Sequence, residues 1–120
     1  MRFYCSDDTV DLEQYPYHVR DVHISDPFIL ADPKSHCYYT YVQFADTERF
    51  PDVETDKEHG VFYVLESKDL IHWSKPQICF RQNNFWADKD YWAPEVHIWK
   101  GRYYLFSSFR ADGHYRKCQC

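Results

Sequence analysis

Glycine is scarce in this chain, with three residues in 120. Tracts of Ser, Gln or Asn are absent as well, which excludes a low-complexity or disordered segment. Lys and Arg number 14 against 19 Asp and Glu, and they are scattered. With a formal charge of −5 and no basic face to neutralise phosphates, a nucleic-acid partner is excluded. No apolar run approaches the ~20 residues of a membrane span, so no membrane partner is expected. The opening Met1-Arg2-Phe3-Tyr4-Cys5-Ser6-Asp7-Asp8 lacks the apolar stretch of a signal peptide, and a cytoplasmic location is the expectation. Cys5, Cys37, Cys79, Cys118 and Cys120 are odd in number and irregularly spaced, which suits free thiols better than a disulfide framework. Cys118-x-Cys120 is a conceivable metal pair, but no CxxC or HExxH accompanies it, and neither metal nor cofactor is expected. GxSxG, a Walker loop and a Cys/His signature are missing too.

What the chain has in quantity is aromatic surface: eleven Tyr, nine Phe and four Trp make 20% of it. Such residues pack well on a pleated surface, and helical periodicity is nearly absent, so the fold class is all-β. Strands are predicted at Pro27–Ala31, Cys37–Phe44, Val61–Ser67, Gln77–Arg81, Glu95–Trp99 and Arg102–Phe109. Asp32-Pro33-Lys34-Ser35 supplies the first turn. Lys100-Gly101 suits a tight hairpin because glycine tolerates positive φ. Ala111-Asp112-Gly113 begins a further turn. The charged stretch Ala45–His59 reads as a solvated loop, or as a rim loop with a function. In Ser67-Lys68-Asp69-Leu70-x-x-Trp73, Ser67 and Asp69 are expected to cap a turn while Leu70 and Trp73 pack between sheets.

One pattern is written twice. Asp26-Pro27-Phe28-Ile29-Leu30, a turn and Tyr38-Tyr39-Thr40-Tyr41 form the first copy. Ala93-Pro94-Glu95-Val96-His97, a shorter turn and Tyr103-Tyr104-Leu105-Phe106 form the second, with the Tyr pairs 65 residues apart. Continued through Val61–Ser67, each unit carries about four strands, as a propeller blade does. A ring closes with roughly four to eight blades, and five at this spacing would need about 300 residues. This chain is therefore expected to be a fragment, a truncated product or part of an assembly, with self-association through exposed blade edges as a possible outcome.

Asp26 stands at the entrance of a buried-looking strand, and Pro27 after it removes a donor and sets an extended path. A carboxylate there can act as a general base on water, or merely cap a turn. Trp92, at the equivalent entrance of the second unit, offers a flat face for a sugar ring, or for the core. Glu95 is either a second carboxylate or a polar channel residue. Phe85-Trp86-Ala87-Asp88-Lys89-Asp90-Tyr91 reads as a binding-site rim or as an ordinary aromatic cluster.

Taken in order, these pieces resemble glycoside hydrolase family 43. They are Ser25-Asp26-Pro27-Phe28-Ile29-Leu30, Tyr38-Tyr39, Ser67-Lys68-Asp69-Leu70-x-x-Trp73, Phe85-Trp86-Ala87, Trp92-Ala93-Pro94-Glu95-Val96-His97 and Gly101-Arg102-Tyr103-Tyr104-Leu105-Phe106. The resemblance implies the first two blades of a five-bladed β-propeller in an incomplete ring. It implies an N-terminal segment at 1–21 and a partial propeller domain at 22–120, with blade one at about 22–82 and most of blade two at about 83–120. The family cleaves arabinosyl and xylosyl linkages by inversion, with base and acid roughly 6.5–9.5 Å apart. The resemblance maps the base onto Asp26 and leaves the acid and a tuning carboxylate beyond Cys120, so the isolated chain is expected to be inactive. Trp92, Glu95, Phe44 and Trp86 are the expected contacts to an oligosaccharide or polysaccharide. The competing reading is a non-catalytic carbohydrate-binding or self-assembling propeller module. A fructan- or sucrose-cleaving relative is disfavoured, because its Trp-x-Asn-Asp-Pro entrance is absent.

Overall fold

The computed structural model describes residues 10–43, 50, 51, 53, 61–81, 85–113 and 117–119, the last three by backbone alone. Its strands are β1 (Tyr17–His18), β2 (Phe28–Asp32), β3 (Cys37–Val42), β4 (Val61–Ser67), β5 (His72–Trp73), β6 (Gln77–Arg81), β7 (Lys89–Trp99), β8 (Arg102–Arg110) and β9 (Lys117–Gln119). One 3₁₀ turn, Val19–Asp21, is the only helical element among the described residues.

β2, β3, β4 and β6 form an antiparallel meander centred on β4. The β4 sequence Val-Phe-Tyr-Val-Leu-Glu-Ser has the β-branched and aromatic residues that favour a pleated surface. It pairs with β3 from Tyr38↔Ser67 to Val42↔Tyr63. On its other edge, β6 takes the first half, with a bulge between Phe62 and Tyr63. β5 takes the far end through Ser67↔Trp73, and β1 extends that edge.

The turns hold themselves. Asp32 accepts hydrogen bonds from the Lys34 N–H (2.9 Å) and the Ser35 hydroxyl (3.0 Å), which closes the β2–β3 hairpin. Ser67 Oγ accepts from the Leu70 N–H at 2.9 Å, and Asp69 Oδ1 from those of Ile71 and His72 at 2.8 and 2.7 Å. Trp73 is buried as expected, but Leu70 is 38% exposed. Leu70 sits at φ +68, and what it contributes is its carbonyl, which accepts the Trp73 indole N–H at 3.2 Å.

The second sheet runs β7-β8-β9. Trp99 pairs with Arg102, leaving a two-residue loop in which Lys100 and Gly101 have φ of +48° and +74°. Positive φ at both central residues is the type I′ turn that matches strand twist. β7 starts six residues earlier than the predicted Glu95–Trp99 strand. Register shifts between Lys89 and Trp92, and again between Trp92 and Glu95, each put one extra residue on β7. These bulges let the strand continue through Pro94, which cannot donate to a ladder.

Packing is aromatic. On one face of the first sheet Tyr38, Val42, Val61, Tyr63, Leu65 and Trp73 form a core, covered in part by Tyr17, Val22 and Ile24 from the chain before β2. No strand is predicted from the sequence in that preceding stretch, since two-residue strands have no readable period. On the seam between the sheets, Phe62 and Phe80 meet Tyr91, Phe109 and Leu105. Phe109 lies 5.0 Å from the Tyr91 ring and 4.9 Å from the Phe85 ring, both edge-on, the arrangement that the ring quadrupoles favour. The two sheets do not close into a ring among the described residues.

Candidate functional site

The two repeated Xaa-Pro steps adopt the same unusual backbone. Asp26, before Pro27, has φ +48°, and Ala93, before Pro94, has φ +49°. A following proline disfavours the right-handed helical region. Aspartate visits the left-handed region more readily than most residues, whereas alanine does so only under constraint. At Ala93 the constraint is visible: its N–H donates to Gln43 Oε1 at 3.1 Å. One residue earlier, the Trp92 carbonyl accepts the Ser107 hydroxyl at 2.5 Å. Strain of this kind costs about 1–3 kcal/mol per residue and persists where surroundings impose it.

Gln43, one residue past the end of β3, accepts the Ala93 N–H and lines a small cleft with Ile24 and Ser25, which precede Asp26. The exposed Asp26 and the Trp92–Ala93 bulge therefore share one end of the adjacent sheets. Trp92 is 42% exposed, and its anchored carbonyl fixes where the indole leaves the chain.

Glu95 lies further along β7, exposed, with Oε1 3.7 Å from His97 Nε2. The His97 ring is 5.2 Å from the Phe28 ring, and Phe28 opens β2 just after Pro27. A path from Asp26 to Glu95 thus runs through Phe28 and His97. Trp86 is 38% exposed and leans on Phe85 at 5.6 Å, which ties it to the aromatic seam. Phe44 lies outside the described residues, as do most of Ala45–His59 and the side chains of Cys118 and Cys120.

Other carboxylates nearby are committed. Arg110 Nε is 2.8 Å from Asp90 Oδ2, and Lys89 Nζ is 2.6 Å from Asp112 Oδ2. Asp32 is buried and accepts the Tyr103 hydroxyl at 2.7 Å. Burial pushes its carboxyl upward, but the hydrogen bonds from Tyr103, Lys34 and Ser35 outweigh that and hold it below its ordinary value. Burial, with the Asp88 charge adding to it, pushes the Tyr91 phenol up to about 12, so it stays a neutral donor to the Ala87 carbonyl. Among the described residues, no three His, Cys, Asp or Glu side chains gather as a metal-ligand set. Cys37 and Cys79 are free thiols.

Sequence reasoning missed Gln43, Asp32 and Tyr103, and it assigned no role to His97. A glutamine at the end of a strand carries no local mark of what it will reach. The Asp32–Tyr103 bond joins positions 71 residues apart. Chemically, this end of the sheets offers an exposed carboxylate, a flat indole and an amide side chain, a set able to accept a proton and to stack on a ring.

A search of curated proteins finds no match. Among solved structures, the chain is similar to an endo-arabinase from Bacteroides thetaiotaomicron VPI-5482, with 31% identity and a TM-score of 0.70. The similarity covers 87% of this chain and 32% of that one, so this chain spans about a third of its structural relative's length. A family model for glycosyl hydrolases family 43 matches residues 18–119. That match takes in both sheets and both Xaa-Pro entrances, and the chain belongs to glycosyl hydrolases family 43.

Proposed function

We propose that this chain is the base-bearing part of an inverting glycosidase that acts on arabinosyl or xylosyl linkages in plant-type glycans. The two sheets are the first two blades of a five-bladed propeller, with blade one at about 22–82 and most of blade two at about 83–120. Asp26 is the general base, and Trp92 walls the sugar subsite, with Glu95, Trp86 and Phe44 as further contacts. The observation that carries this reading is the exposed Asp26 carboxylate just before β2, at the end of the sheets where Gln43 reaches the Trp92–Ala93 bulge. The similarity to an endo-arabinase supports an arabinose-containing substrate.

Inversion needs a second carboxyl group to protonate the leaving oxygen. The proposed acid and tuning carboxylates lie outside these 120 residues, so the chain by itself should not turn over substrate. The test is hydrolysis of nitrophenyl arabinofuranoside and xyloside, read together with the solution mass. An inactive chain that gains activity only with further sheets supports the assignment. Turnover by the 120-residue chain would move the acid into these residues, with Glu95 the first to test.

A further inference from the structure

We infer that a groove at the outer end of the first sheet is a second binding site, for a small neutral hydroxyl-rich ligand of the size of one or two sugar units. The groove has a volume of about 280 Å³, at the lower edge of the range for small-molecule pockets. Tyr39, Val64, Glu66, Ser74, Lys75 and Gln77 line it. Tyr39 pairs with Glu66 and Val64 with Gln77, so adjoining strands present these side chains together. A turn before β1 brings Glu13 and Gln14 to the rim. In that turn Tyr15 N–H donates to the Asp11 carbonyl and Glu13 N–H to Asp11 Oδ1, both at 2.9 Å.

The groove is built rather than incidental. The buried Tyr15 donates its hydroxyl to Glu66 Oε1 at 2.5 Å, which fixes that carboxylate. Ser74 Oγ accepts the Glu66 N–H at 2.8 Å and donates to the Lys75 carbonyl at 3.1 Å. The Tyr39 hydroxyl donates to Ser35 Oγ at 3.1 Å, so its ring is held in place. A ligand therefore meets a fixed aromatic edge and fixed acceptors, which lowers the ordering cost of binding.

The lining also selects the ligand's charge. Glu13 and Glu66 outnumber Lys75, so an anion is disfavoured. A polyol finds carboxylate acceptors, and amide donors and acceptors from Gln14 and Gln77, while its apolar ring face has Tyr39 and Val64. The groove is separate from the Asp26 entrance. From Tyr39 to Gln43 is four residues along the chain, about 13 Å at the ~3.3 Å rise of a strand. It takes its ligand whether or not Asp26 takes part in hydrolysis.

The experiment is calorimetric titration of the 120-residue chain with arabinobiose and xylobiose, and with galacturonate as a negatively charged probe. Wild type is compared with Glu66→Gln, the surface change Gln77→Ala, and Trp92→Ala, with circular dichroism as a check on folding. Expected is saturable binding of a neutral disaccharide, at least tenfold weaker in Glu66→Gln and in Gln77→Ala, and at least tenfold weaker for galacturonate. A Trp92→Ala change should leave this binding event in place. The inference is overturned if no neutral sugar binds, if galacturonate binds more tightly, or if binding survives Gln77→Ala and disappears with Trp92→Ala. That last result would leave the Asp26 site as the sugar site.

Discussion

The Tyr103 hydroxyl donates to Asp32 Oδ2 at 2.7 Å and so ties the first hairpin to the second sheet. Asp32 is 2% exposed and already accepts from Lys34 and Ser35. The bond therefore completes a buried carboxylate while joining two sheets, and it has consequences in acid.

Asp32 titrates below its ordinary value of 3.8 in the folded chain. A depressed carboxyl contributes stability that is fully present above the unfolded value and is lost as pH falls through the folded one. Unfolding midpoints should thus hold near neutrality and drop below about pH 4. Asp32→Ala should cost about 1.5–3 kcal/mol at pH 7, the scale of a hydrogen bond to a charged group. Tyr103→Phe should lower the midpoint at neutral pH and flatten the acid limb; urea melts from pH 2.5 to 7 read both.

At the seam, Phe109 is 2% exposed and touches Phe62, Phe80, Phe85 and Tyr91. Phe109→Ala should cost about 3–5 kcal/mol, because the cavity adds to the lost transfer energy. Urea denaturation followed by tryptophan fluorescence measures it. A cost under 1 kcal/mol would mean that the sheets do not rely on this seam.

Asp26→Asn separates chemistry from backbone. Asparagine tolerates φ +48° about as well as aspartate does, so the fold should be unchanged. In an active form the hydrolysis rate should fall about 10²–10⁴-fold, the usual contribution of a general base, while sugar binding is kept. Asp26→Ala should show the same rate loss and an added destabilisation of roughly 1–2 kcal/mol from the left-handed backbone. Unchanged turnover in both variants removes Asp26 from the base role.

The β7–β8 hairpin gives a purely conformational test. Gly101 has φ +74°, and an added Cβ would meet nothing within 4 Å. Gly101→Ala should therefore cost about 1 kcal/mol through the backbone alone. Gly101→Asn should recover most of that, since asparagine tolerates the left-handed region. Paired thermal melts decide it.

Alternation and turn chemistry were local, and they were readable. Val61–Ser67 and Gln77–Arg81 appear with the predicted bounds, and Lys100-Gly101 forms the expected tight turn. Asp69 and Ser67 cap their turn because both partners lie within a few residues. Where the reading stopped short, a distant partner decided the outcome. β7 runs through Pro94 because β8 and Gln43 support its bulges. Leu70 turns outward because the Trp73 indole takes its carbonyl.

By itself, the sequence determined an all-β chain with a repeated Xaa-Pro entrance and a named set of candidate residues. Period, turn residues and ordered motifs are properties of neighbours along the chain. Long-range packing set the rest: Gln43 reaches the Ala93 bulge, Asp32 and Tyr103 latch the sheets, and Tyr15 fixes Glu66 in a groove. Those contacts join residues roughly 50 to 70 positions apart. Such a pairing is set by how sheets stack and register, which no local pattern encodes.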